Sequence, residues 1–178
     1  MAYLDERDEV PRPAAVRNRL TLLFLTAVLV YAIDVVTKLL AVAQLEGERP
    51  IDILGEVFEL RFTRNPGAAF SLGVGMTIVF SCITIGVILA ILRTAKRLGS
   101  TAWALVFGLV LGGALGNLTD RIFRDPGFLR GHVIDFLHIT HWPIFNVADM
   151  AFTAAGVIVV FLVLRNIPLE GRQEAIQQ

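Results

Sequence analysis

Four apolar runs, each near the length that crosses a lipid bilayer, constrain this chain more than any other feature. They lie at about 20–43, 72–92, 101–118 and 150–164. A hydrocarbon core about 30 Å thick takes about 20 helical residues to cross. Inside it the backbone finds no water, so a spanning segment closes its own hydrogen bonds as a helix. The expected fold class is therefore an all-α membrane protein with four transmembrane helices. Residues 20–165 form the membrane domain, 1–19 a flexible cytosolic N-terminal tail and 166–178 a cytosolic C-terminal tail. At 178 residues, 55% of them apolar, and a mean hydropathy of +0.67, the chain has no room for a separate soluble domain.

The head carries Asp5, Glu6, Arg7, Asp8, Glu9, Pro11, Arg12 and Pro13. The run after it lacks a small-residue cleavage site, so it is read as a retained helix rather than a cleaved leader. Lys and Arg favour the cytosolic face of a membrane protein. Arg7, Arg12, Arg17 and Arg19, then Arg93, Lys96 and Arg97, then Arg165 and Arg172 fall on one side of the four-span layout. Both termini are expected there, with the connections 43–71 and 119–149 outside. These are too long to be idle turns. Residues 50–63 alternate as strands do, with Ile51, Ile53, Val57, Phe58, Leu60 and Phe62 apolar. A small β element at the outer surface is expected, and 43–71 is a candidate lid. Residues 121–131 mix basic and aromatic side chains, as suits the lipid headgroup level.

Formal net charge is zero, which supplies no attraction for nucleic acid. Cys82 is the single cysteine, so no disulfide forms within the chain, and it is expected to be buried and inert.

Ionisable and amide side chains in or beside membrane spans are costly, which makes them functional candidates. They gather toward the outer helix ends. Asp34 and Lys38 are four apart on one helix face and can neutralise each other. Asn117 and Arg121 have the same spacing, and Arg121 suits a carboxylate or a lipid headgroup. Gly112, Gly113 and Gly116 let helices approach closely. Asn65 lies in RNPGAAF and Asn146 in FNVADM. Asp135 and Asp149 differ from the other acids: apolar neighbours flank both, and no Lys or Arg stands three or four residues away. Two carboxyls together in such surroundings cannot both ionise easily. One can then take a proton from water while the other, protonated, polarises a carbonyl. The alternative is that each aspartate only caps a helix or meets a backbone amide.

His132, His138 and His141 flank Asp135 at three-residue steps, but 132–141 is read as irregular and no HExxH is present, so no metal is expected. No serine lies in a GxSxG context. A proton-coupled transporter would place polar residues at successive depths. The runs IVFSCITIGVILAIL and VIVVFLVL are nearly bare toward the cytosolic ends. A structural subunit without chemistry is a third reading, under which asparagine at 135 and 149 would leave function intact.

The blocks DVVTK (34–38), RNPGAAFS (64–71), GGALGNLTDR (112–121), VIDF (133–136) and FNVAD (145–149) stand in order across the four spans. In this the chain resembles the bacterial lipoprotein signal peptidases, the signal peptidase II family of aspartic endopeptidases. The resemblance implies an extracytoplasmic β-cradle and a short peri-membrane helix beside the four spans. It implies Asp135 and Asp149 as catalytic, with Asp34, Lys38, Asn65, Asn117, Arg121 and Asn146 in a polar shell that binds substrate or supports the pair. The implied substrates are diacylglyceryl-modified prolipoproteins, cut before the lipid-modified lipobox cysteine. No metal or organic cofactor is implied, and globomycin-type cyclic peptides are the implied inhibitors. A monomer in the bacterial cytoplasmic membrane, in contact with membrane lipid and with its active site on the extracytoplasmic side, is the expected form.

Overall fold

The computed structural model describes residues 13–55, 57–67 and 76–171. Its helices α1 (Pro13–Leu45), α2 (Met76–Thr94), α3 (Thr101–Phe123) and α4 (Val147–Leu164) account for the four apolar runs. Each is long and apolar enough to cross a membrane. Their ends follow local chemistry rather than apolarity. α1 starts at Pro13. It thus reaches back into the stretch expected as a tail; residues 1–12 lie outside the described residues. It ends ahead of Gly47, at φ 84°, the left-handed position glycine fills after a helix. α3 outruns its apolar limit because the polar side chains of its last turns have partners, described below.

Leu25, Val28 and Leu29 of α1 and Val157, Val163 and Leu164 of α4 are more than half exposed. Helices apolar on their outward faces suit lipid as solvent. Cys82 also faces outward from α2, which corrects the expectation of burial. A membrane helix is apolar on its lipid face and its packed face alike, so hydropathy does not separate the two.

α3 is the central helix and packs on α1, α4 and α2. A glycine ladder brings α1 close. A Cβ at Gly108 would stand 2.7 Å from Leu23 O, one at Gly112 2.6 Å from Ala27 O, and one at Gly116 would overlap the Asp34 carboxylate. Gly113 turns instead toward α4, where a Cβ would stand 3.0 Å from Ala148 O. At the end remote from the sheet, Gly99 N and Ser100 N donate to Leu169 O (2.9 and 3.1 Å), and Trp103 Nε1 donates to Ile167 O (2.9 Å). The chain after α4 therefore folds back onto the α2–α3 connection through residue 171, and 172–178 lie outside the described residues.

The other end carries a three-stranded sheet of order β1-β2-β3. β1 (Ile51–Asp52) and β2 (Phe58–Asn65) form a hairpin. β3 (Val133–Ile139) pairs antiparallel with β2, Thr63 opposite Asp135. The strand β3 corrects the irregular reading of 132–141. Its other edge is held by Phe136 N and Leu137 N, which donate to Phe145 O, so the segment pairs on both sides. Alternation along β3 seats Ile134 and Phe136 against Ala41 and Leu45 of α1. Asp135 consequently points to the opposite face. Much of the 43–71 connection is this sheet. A peri-membrane helix is not among the described residues, which omit 68–75.

Candidate active site

Three elements meet beneath the sheet: the last turns of α3, strand β3 and the first turn of α4. Asn146 is the N-cap of α4. Its side chain accepts from Asp149 N (3.0 Å) and its own N–H donates to Asp149 Oδ2 (3.1 Å), a reciprocal capping box. With Asn146 Oδ1 engaged, its Nδ2 donates to Asp135 Oδ1 (2.6 Å) and to Ile134 O (3.3 Å). Both carboxyls therefore contact one residue, Asn146, itself fully buried. Asp149 thus completes a cap and also lies close enough to act electrostatically on Asp135.

Asn65 closes Asp135 from β2. Gly67 N donates to Asn65 Oδ1 (2.8 Å), which leaves Asn65 Nδ2 to donate to Asp135 Oδ2 (2.8 Å). Both oxygens of Asp135 thus face amide donors. The side chain is nonetheless buried, and burial pushes its carboxyl up to about 6 from 3.8. The charge of Asp149 adds to the rise, while the Asn65 and Asn146 amides and Lys38 restrain it.

Behind the pair lies a chain of charges. Lys38 Nζ, 1% exposed, is 2.7 Å from Asp34 Oδ2 and 3.0 Å from Asp120 Oδ2. It also donates to Asn117 Oδ1 (2.7 Å). Asp34 Oδ1 accepts from Ala148 N (2.9 Å), tying α1 to the start of α4. Asn146 Nδ2 shares Asn117 Oδ1 at 3.3 Å. Arg121, on α3, acts electrostatically on Asp120, Asp135 and Asp149. Its Nε is buried with no hydrogen-bond partner among the described residues, an open donor beside the pair.

All eight residues singled out in the sequence come together here. Asp120 did not stand among them, although it is 3% exposed and bonded to Lys38, to Arg124 and to Ile134 N (3.2 Å). Its spacing of four from Arg124 was the available signal. The histidines form no metal site: His138 Nδ1 pairs with Glu59 across the strands (2.7 Å), and the described residues hold no cluster of three or more metal-ligating side chains.

Comparison with known proteins identifies the family of the chain. The family described as Signal peptidase (SPase) II matches residues 26–165. A lipoprotein signal peptidase of Rhodococcus jostii is 45% identical over 94% of this chain and 84% of its own length. One from Leifsonia xyli is 47% identical over 92% and 76%. One from Streptomyces griseus is 44% identical over 87% and 79%. Two structures of bacterial membrane enzymes, determined by the in meso method at 1.9 and 2.3 Å resolution, superpose with TM-scores of 0.71 and 0.69. Their identities to this chain are 27% and 25%; they cover 81% and 86% of it, and 93% of each of their own chains is matched. The chain is a multi-pass membrane protein, and it belongs to the signal peptidase II family of peptidases.

Proposed function

We propose that this chain is an aspartic endopeptidase that removes the signal peptide from prolipoproteins. Its substrates carry a diacylglyceryl group on the lipobox cysteine, and cleavage falls just before that cysteine. The observation that supports the reading is the meeting of Asp135 and Asp149 on Asn146 in a buried site at the sheet end of the bundle. One acid of the pair carries the shared proton and polarises the scissile carbonyl; burial, which raises Asp135 to about 6, keeps a proton within the pair to higher pH. Asp149 meets the Asn146 N–H, and the acid left ionised takes a proton from the attacking water. That proton then passes to the departing amine, and the pair returns to its starting state. No metal enters the scheme.

The remaining polar residues hold the pair and receive the substrate. Asn65 and Asn146 orient Asp135, Lys38 and Asn117 orient Asp149, and the open Arg121 Nε meets a substrate carbonyl. The lipid anchors the substrate in the bilayer, so partitioning raises its local concentration and the helices supply orientation. In this reading the enzyme is monomeric, sits in the bacterial cytoplasmic membrane with both termini cytosolic, and opens its site to the extracytoplasmic leaflet. Globomycin-type cyclic peptides compete for the same site.

A gel-shift cleavage assay on a diacylated prolipoprotein tests the proposal. Asp135→Asn and Asp149→Asn are each expected to stop cleavage while the proteins still insert and fold. Turnover near the parent rate in both variants would remove the pair from the mechanism.

A further inference from the structure

Asp120 is held by more of the fold than any acid outside the pair. Its Oδ1 pairs with Arg124. Its Oδ2 pairs with Lys38 Nζ (3.0 Å) and accepts the N–H of Ile134 (3.2 Å). Ile134 immediately precedes Asp135, and its carbonyl accepts Asn146 Nδ2 (3.3 Å). The two peptide groups that flank Ile134 are therefore clamped from opposite partners, an α3 carboxylate and the α4 cap. Neighbouring bonds sew the same junction: Gly131 N donates to Arg121 O and His132 N to Asp125 O, both at 3.0 Å. Gly131 packs so tightly on α3 that a Cβ there would overlap Asp120 O. These bonds fix the strand against α3, where its pairing with β2 and residue 145 does not reach, and an error of about 1 Å in a reacting group costs on the order of a hundredfold in rate.

We infer that Asp120 is a positioning residue for the proteolytic reaction: through its hydrogen bond to the Ile134 N–H it sets where strand β3 presents Asp135. The inference rests on the acid-pair reading above. It separates two functions that one carboxylate performs. The charge balances Lys38 and Arg124, and the lone pair on Oδ2 holds the strand. A merely structural role would need only the first.

Two kinds of variant divide these functions. Asp120→Asn keeps an acceptor for Ile134 and removes the charge; Arg124, partly exposed, can swing toward solvent. Asp120→Ala removes both. Replacing Ile134 by its α-hydroxy acid deletes the N–H alone and leaves every charge in place, so it serves even where Asp120→Ala does not fold. The readout is steady-state cleavage of a diacylated prolipoprotein in detergent, expressed per folded molecule, with Asp135→Asn as the inactive reference. The ester variant and Asp120→Ala are expected to lose kcat by roughly ten- to a hundredfold with KM within about twofold. Asp120→Asn is expected to recover most of that loss. An ester variant with parental kcat would overturn the inference, and so would Asp120→Asn as slow as Asp120→Ala. An active Asp135→Asn would instead overturn the acid-pair reading, which the same experiment thereby tests separately.

Discussion

Replacing Asp135 by asparagine tests the site through stability as well as turnover. The carboxyl titrates at about 6 in the folded protein, against 3.8 ordinarily. The folded chain therefore keeps its proton to a higher pH than the unfolded chain. Below about pH 4 both forms are protonated and the group costs nothing. Between the two values the unfolded chain releases its proton first, so stability falls as pH rises. Above about pH 7 both are ionised and the full cost stands, roughly 3 kcal/mol. Asp135 is 2% exposed, so solvent does little to screen this. Asparagine carries no proton to lose and escapes the cost. It introduces a different one: the Asn65 and Asn146 amides both donate to residue 135, and one of them would face an NH2 group. That mismatch costs about 1–3 kcal/mol at every pH. The variant is thus expected to be less stable than the parent near pH 4 and to gain on it by roughly 3 kcal/mol by pH 8. At about 2–4 °C per kcal/mol for a chain of this size, the difference in Tm shifts by roughly 6–12 °C across that range. Thermal unfolding in detergent, followed by tryptophan fluorescence at several pH values, reads it directly. A difference in Tm that stays level from about pH 4 to about pH 8 would refute the reasoning, whatever the variant did to turnover.

Three further outcomes follow from the same geometry. Lys38→Ala leaves Asp34 and Asp120 buried without their shared cation; a loss of about 3–5 kcal/mol is expected, read as lower Tm and yield, with turnover per folded molecule less affected. Gly116→Ala drives a methyl into the Asp34 carboxylate and should cost about 1–3 kcal/mol, visible as a fall in Tm. A metal chelator should leave cleavage unchanged, and inhibition reversed by added zinc would reopen the case for His132, His138 and His141.

Local patterns in the sequence indicated the helices well, because apolarity over about 20 residues needs no partner to be read. The hairpin was half legible through the alternation of Phe58, Leu60 and Phe62. Strand β3 was not, since what makes it a strand is pairing with residues such as Thr63, distant in the chain. The same limit hid the partners of Asp120, whose carboxylate turns to Lys38 on another helix and to the backbone of β3. Asp149 was legible in both of its guises, as the last residue of an N-x-x-D capping pattern and as an acid without a local base. Arg121 lies beside the pair, but the burial of its open Nε follows from packing that no spacing rule encodes.

The charges of the site divide into two sets with different work. Asp34, Lys38, Asp120 and Arg124 alternate in sign along contacts of ion-pair length, and their sum is zero. A buried network closed in this way is a scaffold: removing any member leaves an uncompensated charge. Asp135, Asp149 and Arg121 form the second set, linked electrostatically rather than by ion-pair contacts. Two ionised carboxylates beside one guanidinium leave an excess of one negative charge in a poorly hydrated place. One proton shared by the carboxylates removes that excess. The state in which these charges sum to zero is thus the singly protonated pair. In the proposed reaction that is also the state from which one acid takes a proton from water while the other polarises the carbonyl, so burial and charge count favour the form the proposed chemistry uses.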